Sequence, residues 1–101
     1  MIIYNVTLNI ENDILESWKI WIRKHIKEVL ETGKFEKAIL SKVLSSDEGH
    51  TFSIQYYSKS RDELNEYFEL YAPKLREYTY KTFGNRVIGF RTELEILDIF
   101  N

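Results

Sequence analysis

The chain has 101 residues, enough for one hydrophobic core and too few for two ordinary domains, so residues 1–101 read as a single domain. Hydrophobic residues make up 44% and charged residues 30%, the balance of a folded chain, and a net charge of −2 supplies no global field that would draw in nucleic acid or an anionic membrane. The absence of cysteine excludes disulfides, thiol nucleophiles and thiolate metal sites together, and the cytoplasm is the expected location.

Ile2, Tyr4, Val6, Leu8 and Ile10 alternate with Ile3, Asn5, Thr7 and Asn9, the two-residue period of a strand buried on one face. Asp13 and Glu16 then have capping-box spacing, and Ile14, Trp18, Trp21, Ile22, His25, Ile26, Val29 and Leu30 follow at helical spacing. Gly33 is placed to end that helix in a left-handed conformation. Residues 35–44 are apolar on both parities and predict a strand whose buried face cannot be read. The turn-rich "SSDEGH" leads into Phe52, Ile54 and Tyr56, which complete a hairpin.

Ser60 and Glu63 form a second capping box ahead of Leu64, Tyr67, Phe68, Tyr71, Leu75, Tyr78 and Phe83. Pro73 interrupts this stripe, since it cannot donate to the carbonyl of Glu69, so the helix must bend or restart there. Gly84 is placed to close the second segment, and Ile88, Phe90, Leu94 and Ile96 mark the last strand. Strand, helix, strand, strand, helix, strand predicts an α+β fold of ferredoxin-like type: a four-stranded antiparallel sheet with two helices on one face.

The even-numbered positions of the first, third and fourth strands are apolar and are expected to face the helices. The other face would then carry Asn5, Thr7, Asn9, Thr51, Ser53, Gln55, Tyr57, Arg91, Glu93 and Glu95. It offers few of the aromatic platforms that single-stranded nucleic acid needs, and no nucleic-acid partner is expected. No apolar run approaches the ~20 residues that span a bilayer, so no membrane partner is expected either. The apolar second strand and the tail "ILDIFN" point towards a homodimer.

His50 sits in a turn, where an imidazole usually lacks a partner, whereas His25 lies on the apolar stripe four residues after Trp21. Neither has a companion set of metal ligands, and there is no phosphate-binding glycine loop or nucleophile elbow, so neither metal nor cofactor is expected. The candidate binding residues are His25, Trp21 and Tyr71 for a pocket beneath the helices, and Asn5, Gln55 and Arg91 for the open face. Arg91 and Glu93 have the spacing of a salt-linked pair on one strand face.

The segments "MIIYNVT", "ETGKF", "SIQY", "YAPKLRE" and "FRTELEI" together resemble an uncharacterised bacterial family of stand-alone proteins known only as a domain of unknown function, family 4286. That resemblance spans nearly the whole chain and implies an architecture but no catalytic residue. More distantly the topology is similar to the dimeric α+β barrels, in which two sheets face each other across an interior that some members use for cofactor-free oxygenation or small-ligand binding. The expected inner face here has no histidine or tryptophan, a departure from the oxygenase-like pattern. The favoured reading is a small homodimeric binding or interaction protein without catalysis. The alternative is a cofactor-independent enzyme or small-molecule sensor with its pocket at His25, Trp21 and Tyr71.

Overall fold

The computed structural model describes residues 1–45 and 49–101; half of the predicted 45–50 turn, residues 46–48, lies outside the described residues. Four strands, β1 (Ile2–Ile10), β2 (Lys37–Lys42), β3 (His50–Ser58) and β4 (Val87–Glu95), form one sheet in the order β2-β3-β1-β4. Every neighbouring pair is antiparallel, as the ferredoxin-like arrangement requires. Three helices, α1 (Leu15–Glu31), α2 (Arg61–Leu70) and α3 (Ala72–Phe83), connect them. The core lies between helices and sheet, where Ile2, Tyr4, Ile10, Phe52, Ile54 and Tyr56 meet Trp18, Ile22, Val29, Leu64 and Tyr67.

Helix α1 buries the expected stripe and ends at Thr32, with Gly33 at φ 77° taking the left-handed position that side chains resist. The second helical stretch restarts at the proline: the chain pauses at Tyr71, and Pro73 enters the first turn of α3, where a missing N–H costs nothing. Ser60 caps α2 by accepting a bond from the Glu63 backbone N–H at 3.2 Å. Tyr78, read as part of the inner stripe, is instead 53% exposed. In β2, Ala38 and Leu40 stand opposite Tyr56 and Ile54 on the helix side, and Ile39 faces outwards.

Three expectations fail, and they fail together. The first capping box does not form: α1 follows a short 3-10 turn and has no side-chain cap. Asp13 is drawn instead to Arg86, whose Nη2 lies 2.6 Å from its carboxylate and whose Nε lies 3.6 Å from Glu11. The Glu11 backbone N–H also donates to the Arg86 carbonyl at 3.1 Å. These contacts fix where β4 begins against β1, and the register that follows sets Gly89 opposite Leu8, Arg91 opposite Val6 and Glu93 opposite Tyr4. Directly opposite residues share a face, so β4 is inverted relative to the sequence reading. Arg91, Glu93 and Glu95 lie on the helix side, while Ile88, Phe90 and Leu94 lie on the open face with Asn9, Thr7 and Ile3. Val6 and Ile54 face the helices as expected. The Arg91–Glu93 pair is also not made; Glu93 is bonded by Arg61 of α2.

Gly89 explains why this register is tolerated. A Cβ there would sit 2.1 Å from the Thr7 carbonyl oxygen and 2.6 Å from Leu8 Cδ2. Gly89→Ala is therefore expected to destabilise the protein by about 1–3 kcal/mol, as overpacking does. Urea denaturation would measure this as a lower midpoint at unchanged slope. An alanine variant as stable as the parent would disprove the close β1–β4 approach.

Candidate functional site

Inverting β4 leaves a glycine and an arginine on the floor beneath the helices where two large apolar side chains would otherwise have been. The space left is a cavity of about 400 Å³ between α1, α3 and the β1–β4 side of the sheet. Helical spacing turns Trp18, Trp21 and His25 of α1 towards it; β1 contributes Tyr4, α3 contributes Arg76 and Thr79, and β4 contributes Gly89 and Arg91. Most of its wall is aromatic or aliphatic. Trp21 is held by Phe83 edge-on at 5.1 Å and stacks on the His25 ring at 4.7 Å with 14° between planes. Further in, Tyr4 packs with Phe35, Tyr56, Tyr67 and Phe68 in one aromatic cluster.

The polar groups are few and unevenly satisfied. Arg76 donates from Nη2 to the Tyr4 hydroxyl at 3.2 Å and lies over the Phe68 ring. Burial pushes the Tyr67 phenol up to about 12, Tyr4 adds to the rise, and Arg76 and Arg91 both oppose it. Tyr56 is raised further still by burial. Trp18 is fully buried, and its Nε1 and the Nδ1 of His25 are closed off from water with no hydrogen-bond partner among the described residues. A sealed lone pair costs less than a sealed N–H, so we assign the proton of the neutral His25 ring to Nε2. Burial lowers the His25 pKa to about 4, which keeps the ring neutral at pH 7.

Of the residues singled out from sequence, Trp21, His25 and Arg91 line this cavity, Arg91 from the helix side rather than the expected open face. Tyr71 is half-buried at the α2–α3 junction and packs on the core without lining the cavity. Asn5 and Gln55 lie opposite one another on the open face, where Asn5 donates to Thr7 at 3.0 Å and accepts from Ser53 at 2.8 Å. His50, expected without a partner, contacts the Asn12 side chain at 3.0 Å. The sequence reading missed Arg76, Tyr4, Trp18 and Gly89. Arg76 sits one helical turn beyond Pro73, so the restart of α3 was the available signal. No cluster of side chains able to hold a metal ion occurs among the described residues, and no helix is long and apolar enough to cross a membrane.

With the folded His25 near 4 and the unfolded group near 6.5, the unfolded chain binds the extra proton between those values. Stability should consequently be full above about pH 6.5 and fall as pH drops towards 4, by about 3 kcal/mol from this group. His25→Gln should remove that part of the acid sensitivity. The check is the difference between wild-type and variant denaturation free energies across pH 7 to 4, which isolates His25 from the carboxylates; parallel curves would refute its burial as a neutral ring.

A structure described as a "putative antibiotic biosynthesis monooxygenase" from Deinococcus radiodurans is similar to this chain at a TM-score of 0.69 and 15% identity, covering 100% of this chain and 97% of that one. A dimeric ferredoxin-like protein from an uncultured marine organism is similar at a TM-score of 0.63 and 13% identity, covering 97% and 96%. At such identities the likeness is one of fold. No curated protein matches the chain. The family model described as "Domain of unknown function (DUF4286)" matches residues 1–97, and the chain belongs to that family.

Proposed function

We propose that this protein is a homodimeric small-molecule-binding protein, with one ligand held in each chain between the sheet and helices α1 and α3. The observation that carries this reading is the cavity itself: about 400 Å³, walled by aromatic rings and furnished with a few polar groups. That combination is how proteins usually hold small ligands. Binding is favoured over catalysis because His25 is the one lining residue whose ordinary pKa lies near neutrality, and at about 4 it is a poor base at pH 7. The monooxygenase description of one structural relative is the support for the enzymatic alternative.

The dimer is supported by the open sheet face. Among the described residues of its strands Lys37 is the single charged side chain on it, in a chain that is 30% charged. Its β4 edge exposes Ile88, Phe90 and Leu94 by 65%, 63% and 43%. A face meant for water would carry more charge and less exposed apolar surface, and one structural relative is described as dimeric.

Two measurements test the two parts separately. Light scattering at tens of micromolar should give about twice the 12.1 kDa of one chain, and Phe90→Lys should reduce it to one chain with unchanged far-ultraviolet circular dichroism. A monomeric wild type would reject the dimer. Screening small aromatic compounds against the two indole N–H signals in nitrogen–proton NMR should yield compounds that move Trp18 and Trp21; binders that move only open-face amides would reject the cavity as the ligand site.

A further inference from the structure

We infer that the ligand of this cavity is an organic anion, a planar aromatic or unsaturated body bearing a carboxylate or a group of like charge and shape, with the anionic end at Arg76 and Arg91. The inference rests on the cavity being the ligand site and adds the chemical class. Its basis is a charge imbalance. Among the described residues Arg76 and Arg91 line the cavity, and no aspartate or glutamate does. The chain as a whole carries 16 acidic residues against 14 basic ones, so local composition does not account for two arginines and no carboxylate.

Among the described residues the two guanidiniums are also left without ionic partners. The lysines and arginines that are paired, Lys19, Lys34, Lys59, Arg61, Lys81 and Arg86, lie elsewhere on the protein. Among the described residues neither Arg76 nor Arg91 forms an ion pair, although Glu93 stands on the same side of β4 as Arg91; its carboxylate is taken by Arg61. Arg76 is steadied by the Tyr4 hydroxyl and the Phe68 ring, contacts that orient a guanidinium without neutralising it. Both arginines line the same cavity as Tyr67 although they come from α3 and β4, and both act electrostatically on its phenol. Both are exposed, so the charged end of a ligand would lie at the mouth and remain partly hydrated.

A guanidinium pair of this kind fits a planar anion through paired N–H donors. Behind it, Trp21 stacked on neutral His25 offers flat apolar surface to a ring. The neutral imidazole adds no third positive charge, so the attraction for an anion resides in the two arginines.

The test uses matched probes on the full-length protein: 2-naphthoate, its neutral isostere 2-naphthamide, and the cationic 2-naphthylmethylammonium. Isothermal calorimetry supplies affinities and the two indole N–H signals report the location. Naphthoate is expected to bind roughly tenfold or more tighter than the amide, the usual gain from a hydrogen bond to a charged group. The cation should bind worst. Added sodium chloride should weaken naphthoate more than the amide. In the Arg76→Met and Arg91→Met variants, singly and together, the naphthoate-to-amide ratio should fall towards one; circular dichroism checks folding, and Arg91→Met on the exposed edge strand remains informative if the double variant does not fold. If the amide equals or exceeds naphthoate while both move the indole signals, the anion inference is overturned and the cavity reading stands. If no probe moves either indole signal at millimolar concentration, both are overturned. An undiminished naphthoate preference in folded Arg91→Met and Arg76→Met variants would also overturn the anion inference.

Discussion

The pairing of β4 against β1 is the constraint on which the molecule depends. Because the side-chain period of a strand is two, a shift of one residue would exchange every side chain of β4 between its faces. The observed register is held at its start by Arg86 between Glu11 and Asp13, and it passes through Gly89, where the strands come too close for a side chain. Further along, the Ile96 backbone N–H donates to the Met1 carbonyl at 3.0 Å. From that choice follow both the hollow on the helix side and the apolar edge on the open side. A single pairing decision therefore sets the interior space and the character of the exterior sheet.

The rest of the core makes that hollow tolerable. On the β2–β3 side of the sheet, Phe35, Tyr56 and Tyr67 pack ring to ring, with Phe35 and Tyr67 edge-on at 4.8 Å. Trp18 meets Phe52 at 4.9 Å. Large rings bury much area per residue and fix their neighbours' positions, so this half supplies the apolar burial that the β4 half forgoes. The break at Tyr71 serves the same arrangement. By restarting rather than continuing, the second helical stretch gives α3 its own direction, and with it Arg76 and Thr79 reach the cavity.

Much of this was legible in the sequence. Alternation located β1 and β3 and the correct face of each; the three-and-four spacing located α1 and its buried stripe; and Ser60, Gly33 and Pro73 act as their chemistry dictates. The face of β4 was not legible, because alternation reports that two faces differ and not which one is covered. In an edge strand, charged side chains can lie beneath a helix layer and still reach water, so Arg91, Glu93 and Glu95 broke the assumption that charge means the open side. Asp13 misled for a related reason: a carboxylate at cap spacing also suits an arginine 73 positions later, and only the fold brings Arg86 to it. Half of the six candidates line the cavity: Trp21 and His25 because they share a helix stripe with the core, and Arg91 although it was named for the wrong surface. Arg76 and Gly89 acquire meaning only when α3 and β4 stand over the same space.

The open face of β1 and β3 carries a further implication. Asn5, Thr7 and Ser53 are bonded to one another, and Asn9 reaches Thr51 at 3.2 Å. Polar groups that already satisfy each other across strands forfeit little when water leaves, because drying the surface strands few donors or acceptors. Such a patch can be covered by almost any flat neighbour at small desolvation cost, yet it dictates no alignment of its own. Orientation in any face-to-face assembly would therefore come from the exposed hydrocarbon row of Ile88, Phe90 and Leu94, with the amide and hydroxyl lattice acting as a permissive bearing beside it.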